Sequence, residues 1–444
     1  MSASETLAGA LRGILRERQA EHRLPSVSAC VFRAGEILWA ETVGLADVEA
    51  RREAVPDTQY RIGSITKTFT AASIMQLRDA GALDLDDRLG DHLPEGPHSS
   101  ATLRRLLAHL SGLQREPPGE IWETLELPSR EELLAGLADA RQVLKPGERW
   151  HYSNLAFVLL GEVVASRSGG SWEEYVRTRL LEPIGLARTT FGPEAPFAEG
   201  YFVEPYSETV LRERRLDLRG VAPAGQLWST TEDLARWGSF LADPDPAVLA
   251  TATAEEMHAL QVMADPERWE LGWGLGLMLY RRGARLYAGH DGGMPGHLAG
   301  LVFRRLDRVG AVALTNSGSN TDPTALALDL AEKTLELEPP AVGAWRPQEG
   351  PPAGLQDVLG RWWSEGAEFV FRFRSGRLEA ALAHDPRRRP PAVFEPVGAD
   401  VYRTVSGREH GEELRVVRHP SGEVSKLLWA TYSFTRRPGI FGAG

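Results

Sequence analysis

Arg61-Ile62-Gly63-Ser64-Ile65-Thr66-Lys67-Thr68 is the stretch on which the reading of this chain turns. Lys67 is one of four lysines, with Lys145, Lys333 and Lys426, among 50 Lys and Arg residues, which leaves 46 arginines. An arginine cannot be deprotonated inside a protein, whereas a desolvated lysine can lose its proton and act as a base. Positions i and i+3 share one face of a helix, so a helix opening here brings the Ser64 hydroxyl to the Lys67 amine, and Ser-x-x-Lys reads as an activated nucleophile. With 25 serines and four lysines, chance places Ser three positions ahead of Lys ~0.2 times in such a chain; Gln142, Leu330 and Glu423 precede the other three lysines. An ordinary first helical turn with an exposed lysine would look the same, so the weight falls on partners elsewhere.

The 444 residues are 42% hydrophobic and 25% charged, ordinary for a globular protein and long enough for two or three domains. A net charge of −11 argues against a nucleic-acid partner, which wants a basic face. The single cysteine, Cys30, lies in the apolar run Val27-Ser28-Ala29-Cys30-Val31-Phe32. It permits no disulfide within the chain and no thiolate cluster, and reads as a small buried hydrophobe. His109, His151 and His297 match no zinc spacing, so neither metal nor cofactor is expected. Met1 to Arg23 reads as an amphipathic helix with Leu7, Leu11 and Leu15 on one stripe, without the apolar run of a signal peptide. No stretch of 18 apolar residues follows, so the expectation is a cytoplasmic protein with no membrane partner.

Residues 26–33 and 36–44 read as a β-hairpin around Arg33-Ala34-Gly35-Glu36. Helices are expected over 64–80, 103–110, 130–142, 154–168, 171–182 (ended by Pro183), 230–241 and 322–336, with strands at 273–281, 284–288, 298–304 and 308–316. Strands near both ends and helices between predict an α/β (α+β) unit over 1–337: one antiparallel sheet built from both ends, a terminal helix over it, a helical subdomain beside it, and a cleft between. Residues 338–353, rich in Pro and Gly, read as a linker. Over 354–444, Phe369, Phe371 and Phe373 alternate with Val370, Arg372 and Arg374 before Ser375-Gly376, and Leu414–Arg418 and Leu427–Thr435 flank Pro420-Ser421-Gly422. That pattern predicts a small antiparallel barrel. Trp362 and Trp363 fit its core better than a recognition patch.

Two further motifs supply partners for Ser64. Tyr152-Ser153-Asn154 sits where a loop enters an apolar helix. A Tyr beside two cations is pushed toward phenolate and can serve as a base, and the Asn amide can bond a substrate carbonyl and Lys67. A buried Tyr and an Asn N-cap are the plainer reading. Gly289-His290-Asp291-Gly292-Gly293 follows the strand at 285–288, and its glycines admit close backbone approach to a ligand. The N–H groups of Ser64 and Gly293 could together form an oxyanion hole. A glycine-rich turn with an exposed His is the alternative.

Ser-x-x-Lys, Tyr-x-Asn and His-x-Gly in that order resemble the penicillin-binding-protein and serine β-lactamase-like superfamily, in its class C β-lactamase, esterase and D-aminopeptidase branch. The resemblance covers roughly residues 5–337. Leu106-Leu107-Ala108-His109-Leu110-Ser111-Gly112-Leu113, Pro146–Asn154 and Ser229–Ala235 support it. It implies Ser64 as the acylated nucleophile, Lys67 as its proton acceptor or relay, and Tyr152 as sharing base and leaving-group acid duties. Asn154 would hold the acyl side chain or Lys67, and Asp291 and Gly292 would line the substrate. Which of Lys67 and Tyr152 is the base stays open. The departure from the family is His290 where β-lactamases carry the Lys of Lys-Thr-Gly. That removes a permanent cation for a lactam carboxylate and leaves a mostly neutral group to polarise the substrate or tune Tyr152. Relatives with His-x-Gly are typically esterases or D-specific peptidases.

The expectation is therefore a serine hydrolase acting through an acyl-enzyme: a carboxylesterase on small acyl esters, or alternatively a D-amino-acid-specific peptidase or amidase, with weak lactamase activity open. A catalytically silent binding protein is the rival from another class. The C-terminal barrel resembles the lipocalin-like domains appended to such hydrolases, where capping the cleft or driving homo-oligomerisation would be its part. A small ester or short peptide is the expected partner.

Overall fold

In the computed structural model, which describes residues 3–440 except 95, 97, 98, 341–343, 348 and 365, the N-terminal stripe of leucines lies on helix α1 (Ala3–Glu21). Leu7, Leu11 and Leu15 are buried there against the sheet. The hairpin follows as β1 (Ser26–Arg33) and β2 (Glu36–Asp47). Its turn puts Ala34 and Gly35 at φ 51° and 90°, the left-handed pair that matches the twist of the flanking strands. A short β3 (Arg52–Glu53) ends this side. The C-terminal half supplies β4 (Val262–Met263), β5 (Leu271–Trp273), β6 (Met278–Arg282), β7 (Arg285–Met294), β8 (His297–Arg304) and β9 (Val309–Thr315). The nine strands are antiparallel in the order β3-β2-β1-β9-β8-β7-β6-β5-β4, with Val27 opposite Thr315 and Arg33 opposite Val309.

Strand β1 is buried on both faces, and its alternation divides the core. Val27, Ala29 and Val31 join α1 and α6 (Pro323–Leu337; α2 to α5 follow), while Cys30 and Phe32 face the helical block. The block holds α2 (Thr66–Asp79), α3 (Leu103–Leu107), α4 (Asn154–Ser168) and α5 (Thr231–Ala242). Helix α4 runs through the middle of that block: Leu155 to Val164 are all buried, Glu162 among them being paired with Arg130 at 2.7 Å. Gly169 at φ 73° closes it.

Several expectations need correction, helix 103–110 among them, since it ends at Leu107. The run at 273–281 is two strands, β5 and β6, parted at 274–277, where the backbone turns at Gly276 (φ 75°) against α2. A Cβ on Gly276 would lie 2.2 Å from that of Ala71. The strand expected to end at Ala288 continues to Met294, so the glycine-rich motif is strand and not turn. Helix 130–142 stops at Gly136 with one 3₁₀ turn beyond. Pro183 does not end the stretch at 171–182. It sits in a short helical continuation, Glu182–Ile184, that follows a π-helical turn over Arg177–Leu181.

The chain divides into two compact units, Met1–Pro340 and Ala341–Gly444. Linker positions 341–343 and 348 lie outside the described residues. The second unit is an eight-stranded antiparallel meander: β10 (Gly360–Ser364), β11 (Ala367–Arg374), β12 (Arg377–Leu382), β13 (Ala392–Gly398), β14 (Val401–Thr404), β15 (Glu413–Arg418), β16 (Val424–Trp429) and β17 (Tyr432–Phe434). Ala430 at φ 54° splits the run expected over 427–435. Trp363 and Thr435 exchange backbone hydrogen bonds of 2.9 and 3.0 Å, which closes the meander into a barrel. Its interior is packed with Trp362, Phe371, Phe394, Trp429 and Phe434. Trp362 is thus core, its indole N–H bonded to Val358 O at 2.7 Å.

Among the described residues no helix is long and apolar enough to cross a membrane.

Candidate active site

Ser64 lies in a single 3₁₀ turn, Gly63–Ile65, that runs straight into α2, so Ser64 and Lys67 fall on one face one turn apart. The Lys67 ammonium nitrogen is 2.9 Å from Ser64 Oγ and 2.7 Å from the carbonyl oxygen of Ala224. Ser64 is half-buried and Lys67 fully buried. Burial lowers the Lys67 pKa from 10.5 to about 7, with Glu116 and Asp291 pulling it back up and Arg115 pushing it further down. A lysine so placed can give up its proton near neutral pH. If it is the base, kcat/KM rises with pH on a limb centred near 7; a steady-state profile flat from about pH 5.5 to 8.5 would rule that out. The same shift makes Lys67 burial costly to stability at low pH. Between about 7 and 10.5 the unfolded chain holds a proton that the folded chain has released, so this contribution to stability rises with pH across that window.

Tyr152 precedes Ser153, which caps α4 by accepting the Ala156 N–H at 3.1 Å; the N-cap is Ser153 and Asn154 is the first helical residue. The phenol interacts with Ser64. Lys67 Nζ lies 5.1 Å from the Tyr152 ring centroid and the Arg115 guanidinium 4.9 Å from it. The expectation that these cations make a phenolate fails. Burial pushes the Tyr152 phenol above its ordinary value, and Asp291 and Glu116 add to the rise. The cations beside Tyr152 therefore do not turn it into a phenolate. Asn154 Nδ2 donates to Glu116 Oε1 at 2.7 Å and not to Lys67, whose amine is occupied by Ser64 and Ala224.

His290, Asp291, Gly292 and Gly293 all lie on β7. His290 is fully buried, contrary to an exposed turn histidine. Its Nδ1 is 2.6 Å from Asp291 O, which can only accept, so Nδ1–H is the donor; Nε2 has no hydrogen-bond partner among the described residues. The Trp273 ring stands edge-on to it at 5.5 Å. The Asp291 side chain is 56% exposed, and the bond from His290 with the charges of Lys67 and Arg115 holds its carboxyl below its ordinary value. Strand β7 meets the Ser64 turn backbone to backbone. A Cβ on Gly292 would lie 1.9 Å from Ile62 O, and one on Gly63 (φ 49°) 2.7 Å from Gly293 N. This contact sets the Gly293 amide beside the turn that carries the Ser64 amide.

The structure thus gathers Ser64, Lys67, Tyr152, Asp291 and Gly293 at one place, with His290 in the wall. His297 is elsewhere, buried edge-on to Trp228 at 5.2 Å. No three metal-ligating side chains cluster among the described residues. Sequence reasoning missed Arg115, Glu116 and the Ala224 carbonyl. Arg115-Glu116 ahead of Pro117-Pro118, just after Ser111-Gly112-Leu113, was the available signal for the first two.

An antiparallel sheet between helical layers, with Ser-x-x-Lys packed against its strand β7, defines a class: serine hydrolases built like β-lactamases and penicillin-binding proteins. The chain belongs to the beta-lactamase family, whose sequence model matches residues 11–336. Residues 351–436 match a second family, described as a domain of unknown function (DUF7586). Penicillin-binding protein 4* of Bacillus subtilis (strain 168) is 27% identical over 324 residues, 69% of this chain and 71% of that one. The octameric penicillin-binding protein homologue from Pyrococcus abyssi is 25% identical with a TM-score of 0.66, over 96% of this chain and 99% of that one. A D-stereospecific amidohydrolase from Streptomyces sp. is 26% identical with a TM-score of 0.64, over 73% and 98%.

Proposed function

We propose that this protein cleaves small esters or amides through an acyl-enzyme on Ser64. The observation that carries the reading is the fully buried Lys67 amine, near neutrality in pKa and 2.9 Å from the Ser64 hydroxyl. Ser64 Oγ attacks the substrate carbonyl carbon and its proton passes to Lys67. The oxyanion is held by the amides of Ser64 and Gly293. Tyr152, protonated, gives its proton to the leaving oxygen or nitrogen and is reprotonated through Lys67. Water then cleaves the acyl-enzyme by the same groups in reverse. Catalysis belongs to residues 1–337 in this reading, with 338–353 as linker and 354–444 as an appended barrel. A homo-oligomer is part of the proposal on one ground, the octameric homologue.

A carboxylesterase on small acyl groups is the first reading, because His290 stands where β-lactamases carry a lysine and a histidine is no permanent cation for a lactam carboxylate. One observation favours the second, an amidase or peptidase on D-amino-acid substrates. Glu116 Oε2 is buried without a hydrogen-bond partner, and its charge acts on both Lys67 and Tyr152. An orphaned carboxylate oxygen in the wall suits an acyl group with a free ammonium, and the similarity to a D-stereospecific amidohydrolase points the same way.

p-Nitrophenyl butyrate and D-alanine p-nitroanilide, each with Ser64→Ala as control, separate the readings. Ester cleavage with a silent anilide supports the esterase. Anilide turnover whose KM rises about 10- to 100-fold in Glu116→Gln, with the butyrate KM unmoved, supports the amine-bearing substrate. Folded protein inert to both and unlabelled at Ser64 by a fluorophosphonate would overturn catalysis and leave a binding protein.

A further inference from the structure

His109 belongs to none of the three motifs, yet it touches the second from three sides. It follows α3 at φ 55°, a left-handed conformation that non-glycine residues adopt rarely and His more readily than most. It is fully buried. Its carbonyl oxygen accepts the His151 N–H at 2.9 Å, and its Nδ1 accepts the Ser153 N–H at 3.0 Å. These two bonds bracket Tyr152 in the chain. The imidazole itself stacks on the Tyr152 ring, centroids 4.3 Å apart and planes 29° from parallel. Behind it, Trp273 and Phe157 hold the imidazole at 4.7 and 5.1 Å. Because Nδ1 is the acceptor, the ring is neutral with its proton on Nε2, and burial beside Lys67 and His290 keeps it so.

We propose that His109 is the positioning residue for Tyr152: its Nδ1 and carbonyl fix the backbone at 151 and 153, and its ring fixes the plane of the phenol, so that the hydroxyl meets Ser64. The inference rests on the proposed role of Tyr152. It also accounts for the residue type. The place asks for tolerance of left-handed backbone, an acceptor at the δ position and a flat ring, and histidine supplies all three. Asparagine supplies the first two, phenylalanine only the ring.

The test is a set of His109 variants, each made alone and with Tyr152→Phe. His109→Ala is expected to lower kcat about 100-fold with KM within about threefold, the scale of loss when a reacting group is displaced by an ångström. His109→Asn should recover about tenfold of that, and His109→Phe should not. With Tyr152→Phe already present, His109→Ala should change kcat less than about threefold, since there is no hydroxyl left to place. An equal drop in both backgrounds, or His109→Phe outperforming His109→Asn, overturns the proposal. Should His109→Ala fail to fold, the Asn and Phe pair decides alone. If Tyr152→Phe by itself leaves kcat unchanged, the role given to Tyr152 fails instead, which is a separate outcome.

Discussion

Lys67→Arg lowers kcat/KM for p-nitrophenyl butyrate by about 10³- to 10⁴-fold, to near the Ser64→Ala floor, although the positive charge is kept. The loss follows from proton chemistry and not from charge. Lysine at this place is brought to about 7 by burial, within reach of neutral pH. Arginine under comparable burial is not: Arg61, also buried in this chain, comes down from 12.5 only to about 10. A guanidinium in place of the amine would remain a cation throughout the working range and take no proton from Ser64. Steady-state rates and fluorophosphonate labelling check the result, with a melting curve to show that the variant is folded. Turnover within tenfold of the parent would remove Lys67 from the role of base.

Gly292→Ala strikes the same reaction from the other side. The new methyl would sit 1.9 Å from Ile62 O and 3.4 Å from the Ala299 methyl, and the first of these contacts is with rigid buried backbone. Strand β7 has to move away from the Ser64 turn and carries the Gly293 amide with it. Loss of one oxyanion donor of this kind reduces kcat about 10²- to 10³-fold. Overpacking of about 1–3 kcal/mol should also lower the melting temperature by several degrees. Gly293→Ala is the comparison, since its methyl meets only the end of the Leu298 side chain at 3.3 Å and should disturb stability less. Parental kcat and melting temperature in Gly292→Ala would mean that the close approach of β7 to residue 62 has no part in catalysis.

What was legible in the sequence was local. Ser64 and Lys67 are joined by the pitch of one helix, and the hairpin at residue 34 and the leucine stripe at 7, 11 and 15 are set by periods of two and of nearly four. What was illegible depends on segments far apart in the chain. Gly289 and Gly292 read as a turn because glycine breaks strands, but here they admit the backbones of Leu301 and Ile62, which no local rule reveals. The state of Tyr152 was misjudged because cations can be counted along a sequence and desolvation cannot. Glu116 reaches Asn154 across 38 positions and the Ala224 carbonyl reaches Lys67 across 157, so neither announces itself.

The pairing of β1 with β9 has a consequence for the birth of the molecule. Val27 finds its partner at Thr315, and a ribosome adding about 5–20 residues per second needs roughly 15–60 s to make the chain between them. Throughout that interval β1, which the folded protein buries on both faces, has only β2 along one edge and bare amides along the other. Nascent chains of this protein are therefore exposed to mispairing until the last strand emerges, and a holding chaperone should matter more to the yield of active enzyme than to its stability once folded.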